Sequence, residues 1–154
     1  MTRGRADTST DISDRRGSLW ASVLVGVGLM AAVEEIVFHQ LLQWHHFDDR
    51  ATAAWGVFAD GLMHALELVA VVGGFVWMLR LQSRGALRGA TAWAGLALGS
   101  GGYQLFDGVV LHRILGLHRI RYGVDLLPYD LAWNGAAVVL LAIGALLLRR
   151  ARRR

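Results

Sequence analysis

The amino-acid sequence predicts an all-α integral membrane protein, a four-helix bundle built from two related two-helix halves, and three observations carry that expectation. First, four stretches, 19–42, 58–79, 90–111 and 126–148, are nearly free of charge. Each matches the ~20 residues that a helix needs to cross a ~30 Å hydrocarbon layer. Apolar residues make up 55% of the 154 positions and the mean hydropathy is +0.41. Second, the basic residues, all arginine, cluster before the first stretch, between the second and third, and after the fourth. Third, two blocks, EEIVFHQLLQWHH (34–46) and DGVVLHRILGLHR (107–119), align without a gap. In each, an acid (Glu34, Asp107) is followed five residues on by a histidine (His39, His112) and six beyond that by another (His45, His118).

The arginine distribution fixes an expected topology. Arg3, Arg5, Arg15 and Arg16 precede the first span, Arg80, Arg84 and Arg88 fill the second connection, and Arg149, Arg150, Arg152, Arg153 and Arg154 follow the last. The positive-inside rule then puts both termini and the middle connection in the cytoplasm of a bacterial cell, with the spans in its inner membrane. The isoelectric point near 10.6 reports this topology, with some attraction to anionic lipid, and not nucleic-acid binding. The absence of cysteine excludes disulfides, thiolate metal sites and cysteine nucleophiles.

Residues 1–17 are polar and mixed in charge and read as a disordered cytoplasmic tail. Arg15-Arg16 before an apolar run resembles a twin-arginine signal, but Gly-Ser-Leu-Trp fits one poorly and the first span is expected to be retained. That span opens on small residues (Ala21, Ser22, Gly26, Gly28), suited to close helix contact in lipid, and carries Glu34 and Glu35 into its outer half. A carboxyl there costs at least ~2.5 kcal/mol on insertion scales, so it should face inward and have a partner. With α-helical spacing, Glu35 and His39 share a face, and His46 falls near the same meridian.

The second span begins with Asp60, His64 and Glu67, one stripe of the kind that helix bundles use for metal ligands. The third has glycines at 95, 99, 101 and 102, then Tyr103, Gln104, Asp107 and His112. The fourth opens near Pro128, which the first turn of a helix tolerates, with Asp130, Trp133 and Asn134 following. Residues 149–154 read as a basic cytoplasmic tail. Asp60 aligns with Asp130 as the start of each half's second helix, which implies a pseudo-twofold axis along the membrane normal. All six histidines fall in the extracytoplasmic half or its loops.

FHQLLQWHHF (38–47) and HRIRYGVDLLPYDLAWN (118–134) resemble a bacterial family of small four-span membrane proteins described as a domain of unknown function. The resemblance covers nearly the whole chain from about Leu19 to the final span. Family members are often encoded near copper-handling cytochrome oxidase assembly proteins. The resemblance thereby implies a link to respiratory metal or haem biology, with oxidase assembly factors as partners, by association only.

Histidine and carboxylate without thiolate suit zinc, iron, manganese or cupric copper. The expected ligands are Glu35 and His39, His64 with Asp60 or Glu67, and His112, oriented by Glu34, Tyr103, Asp107 and Asn134. His45, His46 and His118 read as interfacial groups nearer the water. Two further functions compete with metal handling. One is a haem protein using two of His39, His64 and His112 as axial ligands. The other is a metal-dependent intramembrane enzyme with Glu35 or Glu67 as base. An acid–histidine hydrogen-bond network would be a purely structural use of the same residues, though such bonds average only ~0.6 kcal/mol in membranes. A proton path is not expected, because the polar groups stop near Glu67. The glycine-rich faces leave room for a homodimer within the lipid bilayer.

Overall fold

The computed structural model describes residues 3–153, and every regular element in it is helical. Helix α1 (Arg3–Glu34) runs without a break into a π-helical segment, Glu35–Leu41. Helix α2 spans Ala53–Ser83, and α3 (Gly89–Phe106) continues into a second π-helical segment, Asp107–Leu115. Helix α4 covers Leu127–Arg152. Thr52 caps α2, its hydroxyl accepting from the Trp55 amide at 3.2 Å, and Pro128 lies in the first turn of α4.

Three helical stretches are long and apolar enough to cross a membrane: Thr10–Leu41, Ala53–Ser83 and Leu127–Arg152. The expected third span, 90–111, is helical too, but its glycines, Ser100, Gln104 and Asp107 make it less apolar. Its position accounts for that composition. Helix α2 packs on α1, α1 on α3, and α3 on α4, while α2 and α4 make no close backbone approach to each other. The four helices therefore form a row, with α1 and α3 inside and the leucine- and valine-rich faces of α2 and α4 outside. The expected all-α chain of four helices is present in this open arrangement.

Small residues set this order. A Cβ on Gly99 would fall against the Val23 backbone, and one on Gly74 would lie 2.8 Å from the Ala21 carbonyl oxygen, so α1 touches both neighbours through backbone. The Ser100 hydroxyl donates to the Gly26 carbonyl at 3.1 Å across the same α1–α3 contact.

Residues 3–17, expected to be loose, are helical in continuity with α1. The reason lies in the α2–α3 linker: Arg88 pairs with Asp14 at 2.9 Å and Asp11 at 3.3 Å, and its amide donates to Ser18 at 2.9 Å. A charged segment can remain helical where such partners hold it. Residues 1–2 and 154, at the ends of the two expected tails, lie outside the described residues.

Candidate metal centre

Both histidine blocks fall on π-helical turns, and this decides which side chains meet. In an α-helix the fifth residue along lies well off the meridian of the first, whereas the wider i→i+5 turn brings it back. The His39 Nε2 atom thus lies 4.0 Å from Glu34 Oε1, and His112 Nε2 lies 3.1 Å from Asp107 Oδ2. Each π segment ends alike. The Trp44 amide reaches back to the Phe38 carbonyl at 2.9 Å and the Leu117 amide to Leu111 at 3.0 Å, around the left-handed residues Gln43 (φ 51°) and Gly116 (φ 58°).

The chain then enters two loops that clasp one another. His45 donates from Nδ1 to the Ile120 carbonyl at 3.0 Å, and His118 donates from Nδ1 to the Phe47 carbonyl at 2.8 Å. The Asp49 amide adds a bond to the Leu117 carbonyl at 3.0 Å. A carbonyl can only accept, so both Nδ1 atoms carry a proton and both Nε2 atoms are turned toward the interior of the cluster. The two rings stack at 4.4 Å with 8° between their planes. Burial among His118, His39 and His112 pushes the His45 imidazole well below its ordinary pKa, which keeps it neutral.

Six side chains meet under this clasp: Glu34, His39, His45, Asp107, His112 and His118, none more than 8% exposed. Ligand atoms of Glu34, His39, His45 and His118 all lie within 4.8 Å of one another, as do those of Glu34, Asp107, His112 and His118. His118 Nε2 is 3.7 Å from both Glu34 Oε1 and Asp107 Oδ1. The two 3.7 Å separations are a few tenths of an ångström wider than the ~3.4 Å edge of a tetrahedron with 2.0–2.1 Å bonds to its centre, and the remaining separations within each set reach up to 4.8 Å. The remaining carboxylate oxygens are anchored: Tyr103 donates to Glu34 Oε2 at 2.9 Å, and Trp133 donates to Asp107 Oδ2 at 3.1 Å.

Beside this cluster Asp60 acts as a hub. It accepts from His46 Nδ1 at 2.6 Å, the Phe47 amide at 2.7 Å and His39 Nδ1 at 3.2 Å, so its oxygens are already committed to donors. Glu35 Oε2 lies 3.0 Å from the same His39 nitrogen. Glu35, His39 and Asp60 form a third close group, in which the carboxylates orient His39 and leave its Nε2 facing Glu34.

The cluster gathers some of the residues singled out from the sequence and leaves others outside. His39 and His112 lie in the six-residue cluster. Glu34 and Asp107, assigned to orient ligands, offer oxygens to the cluster themselves, and Tyr103 orients one of them. His45 and His118, read as interfacial, are 5% and 1% exposed, because each is drawn inward by the opposite loop. His46 keeps a third of its side chain exposed. His64 pairs with its own-helix neighbour Glu67 at 2.7 Å and, like Glu67, stands outside these groups. Asn134 donates to the Asp130 carbonyl within α4 and sits against Gly108, so the orienting contact from α4 comes from Trp133. Asp130 pairs with Arg113.

Residues 21–151 match the family described as Predicted membrane protein (DUF2243). No curated protein and no solved structure matches the chain.

Proposed function

The chain belongs to that family of predicted membrane proteins, and from this premise we propose that it binds a divalent transition metal through Glu34, His39, His45, Asp107, His112 and His118. One observation carries the reading. The Nε2 atoms of His39, His45, His112 and His118, together with Asp107 Oδ1, are buried without a hydrogen-bond partner. Leaving such groups unsatisfied costs ~1–3 kcal/mol each, so a hydrogen-bond network alone accounts for them badly. A cation satisfies them together. The all-nitrogen-and-oxygen donor set suits zinc, iron, manganese or cupric copper, and the carbonyl and carboxylate partners of the His39, His45 and His118 Nδ1 atoms are what a ligating imidazole requires on its far side.

Haem receives less support, since neighbouring imidazoles contact one another at centroid separations of 4.4–4.5 Å where a macrocycle would have to pass. The local geometry shared by the two π segments supports descent of the halves from one two-helix unit. The arginine clusters support cytoplasmic termini, which would put the centre on the extracytoplasmic side of the inner membrane, the side on which metal would be received or passed on during oxidase assembly. Catalysis by a bound metal with a carboxylate base is a second use of the same residues.

The deciding experiment is elemental analysis with an absorption spectrum on the full chain purified in detergent. Stoichiometric metal without a Soret band, lost in His39→Ala and His118→Ala but retained in His64→Ala, is expected. A protein that takes up none of zinc, iron, manganese or copper on reconstitution overturns the reading.

A further inference from the structure

The cluster's donors do not fall into one coordination sphere. Six ligands around one ion are all within ~4.2 Å of each other when bonds are 2.0–2.1 Å long. Here the ligand atoms sort instead into two sets of four, one containing His39 and His45, the other Asp107 and His112, with Glu34 and His118 common to both. A neutral imidazole has a single lone pair to give once its other nitrogen is protonated, so His118 serves one centre. Glu34 differs: a carboxylate has two oxygens and about four lone-pair sites, and can serve two.

We infer that the site holds two divalent cations side by side, bridged by the Glu34 carboxylate. His39 and His45 hold one ion, Asp107 and His112 hold the other, and His118 completes one of the two spheres. The inference rests on the metal-binding reading above and adds a second position to it.

The charge of the interior is compatible with the count. Glu34, Glu35, Asp60 and Asp107 are each at most 3% exposed. The chain has no lysine, and among the described residues no arginine pairs with any of these four. Four carboxylates buried together in a low-dielectric interior are costly unless neutralised. With Asp60 already held by His39, His46 and the Phe47 amide, Glu34, Glu35 and Asp107 are left, and when ionised they carry more charge than one dication balances. His112 supplies the second observation on its own side: both its ring nitrogens are buried without a hydrogen-bond partner, as is Asp107 Oδ1.

Separations of ~3.5–4 Å are usual for paired metals, and at that distance two copper(II) ions couple magnetically. The test uses the full chain in detergent, stripped with chelator, loaded with zinc alone, desalted and assayed for zinc per chain. Wild type is expected to retain two, and His45→Ala and His112→Ala one each, with unchanged elution volume and helical circular dichroism. Copper(II) loading of wild type should produce a half-field electron paramagnetic resonance signal on the second equivalent, a readout independent of variant folding. One ion per wild-type chain overturns the second position and leaves the metal reading intact. No ion with zinc, manganese, iron or copper overturns both. Two copper ions without coupling would place the second ion elsewhere and overturn the bridge.

Discussion

Replacing Tyr103 with phenylalanine removes one oxygen atom and should weaken metal binding about 10- to 100-fold. The hydroxyl donates to Glu34 Oε2 at 2.9 Å and holds that carboxylate with its other oxygen facing His39 and His118. A hydrogen bond to a charged acceptor contributes about 1.5–3 kcal/mol. At ~1.4 kcal/mol per decade that is one to two orders of magnitude in affinity, the range found for residues that orient metal ligands from behind. The assay is competition against a chromophoric zinc chelator in detergent, wild type beside Tyr103→Phe, with thermal unfolding of both metal-free proteins as the control for folding. An affinity within about twofold of wild type in a folded variant refutes the reasoning, since the bond would then be doing nothing for the carboxylate's position.

Trp133→Phe should produce a loss of similar size through Asp107, whose Oδ2 it anchors at 3.1 Å, and the same competition assay reads it. Gly99→Ala should destabilise the fold by about 1–3 kcal/mol, because the added methyl meets the Val23 backbone, whereas Gly102→Ala, which meets nothing, should be neutral; unfolding in mixed detergent separates them. Asp48 in the first loop accepts two bonds from the Arg50 guanidinium and one from the Trp55 indole, and these hold its carboxyl well below the usual carboxylate range. Its stabilising contribution is therefore present above the unfolded value of about 3.9 and is lost as pH falls below it through the folded one. Trp55 fluorescence should report an acid transition in wild type that Asp48→Asn no longer shows.

The membrane character and the existence of the helices were legible because long uncharged runs need no knowledge of tertiary structure. The acid-to-histidine spacing of five was legible too, but its meaning was not. Read with a period of 3.6, it points Glu34 and Asp107 away from their histidines and favours Glu35 with His39, which the structure uses to orient the ring. Only the π turns reverse that, and no residue in either block declares a π turn. The burial of His45 and His118 depends on two loops about 70 residues apart exchanging hydrogen bonds to backbone carbonyls, which a sequence pattern does not encode. His64 looked like a ligand because it shares a stripe with Asp60. In the structure its Nδ1 pairs with Glu67 on the same helix, while Asp60 reaches His39.

The exchanged bonds of the loop clasp also fix the order of events in the protein's life. The two sets of four donors each draw on both chain halves: Glu34 is made early, His118 late, and neither set is whole without both. A nascent chain that has released only its first hairpin carries four of the six histidines, His39, His45, His46 and His64, but lacks His118 from the first set and all but Glu34 from the second. Both sets of four are complete only once the second hairpin has inserted and its loop has closed over the first. On the proposed metal reading, filling of both positions would thereby report completed assembly.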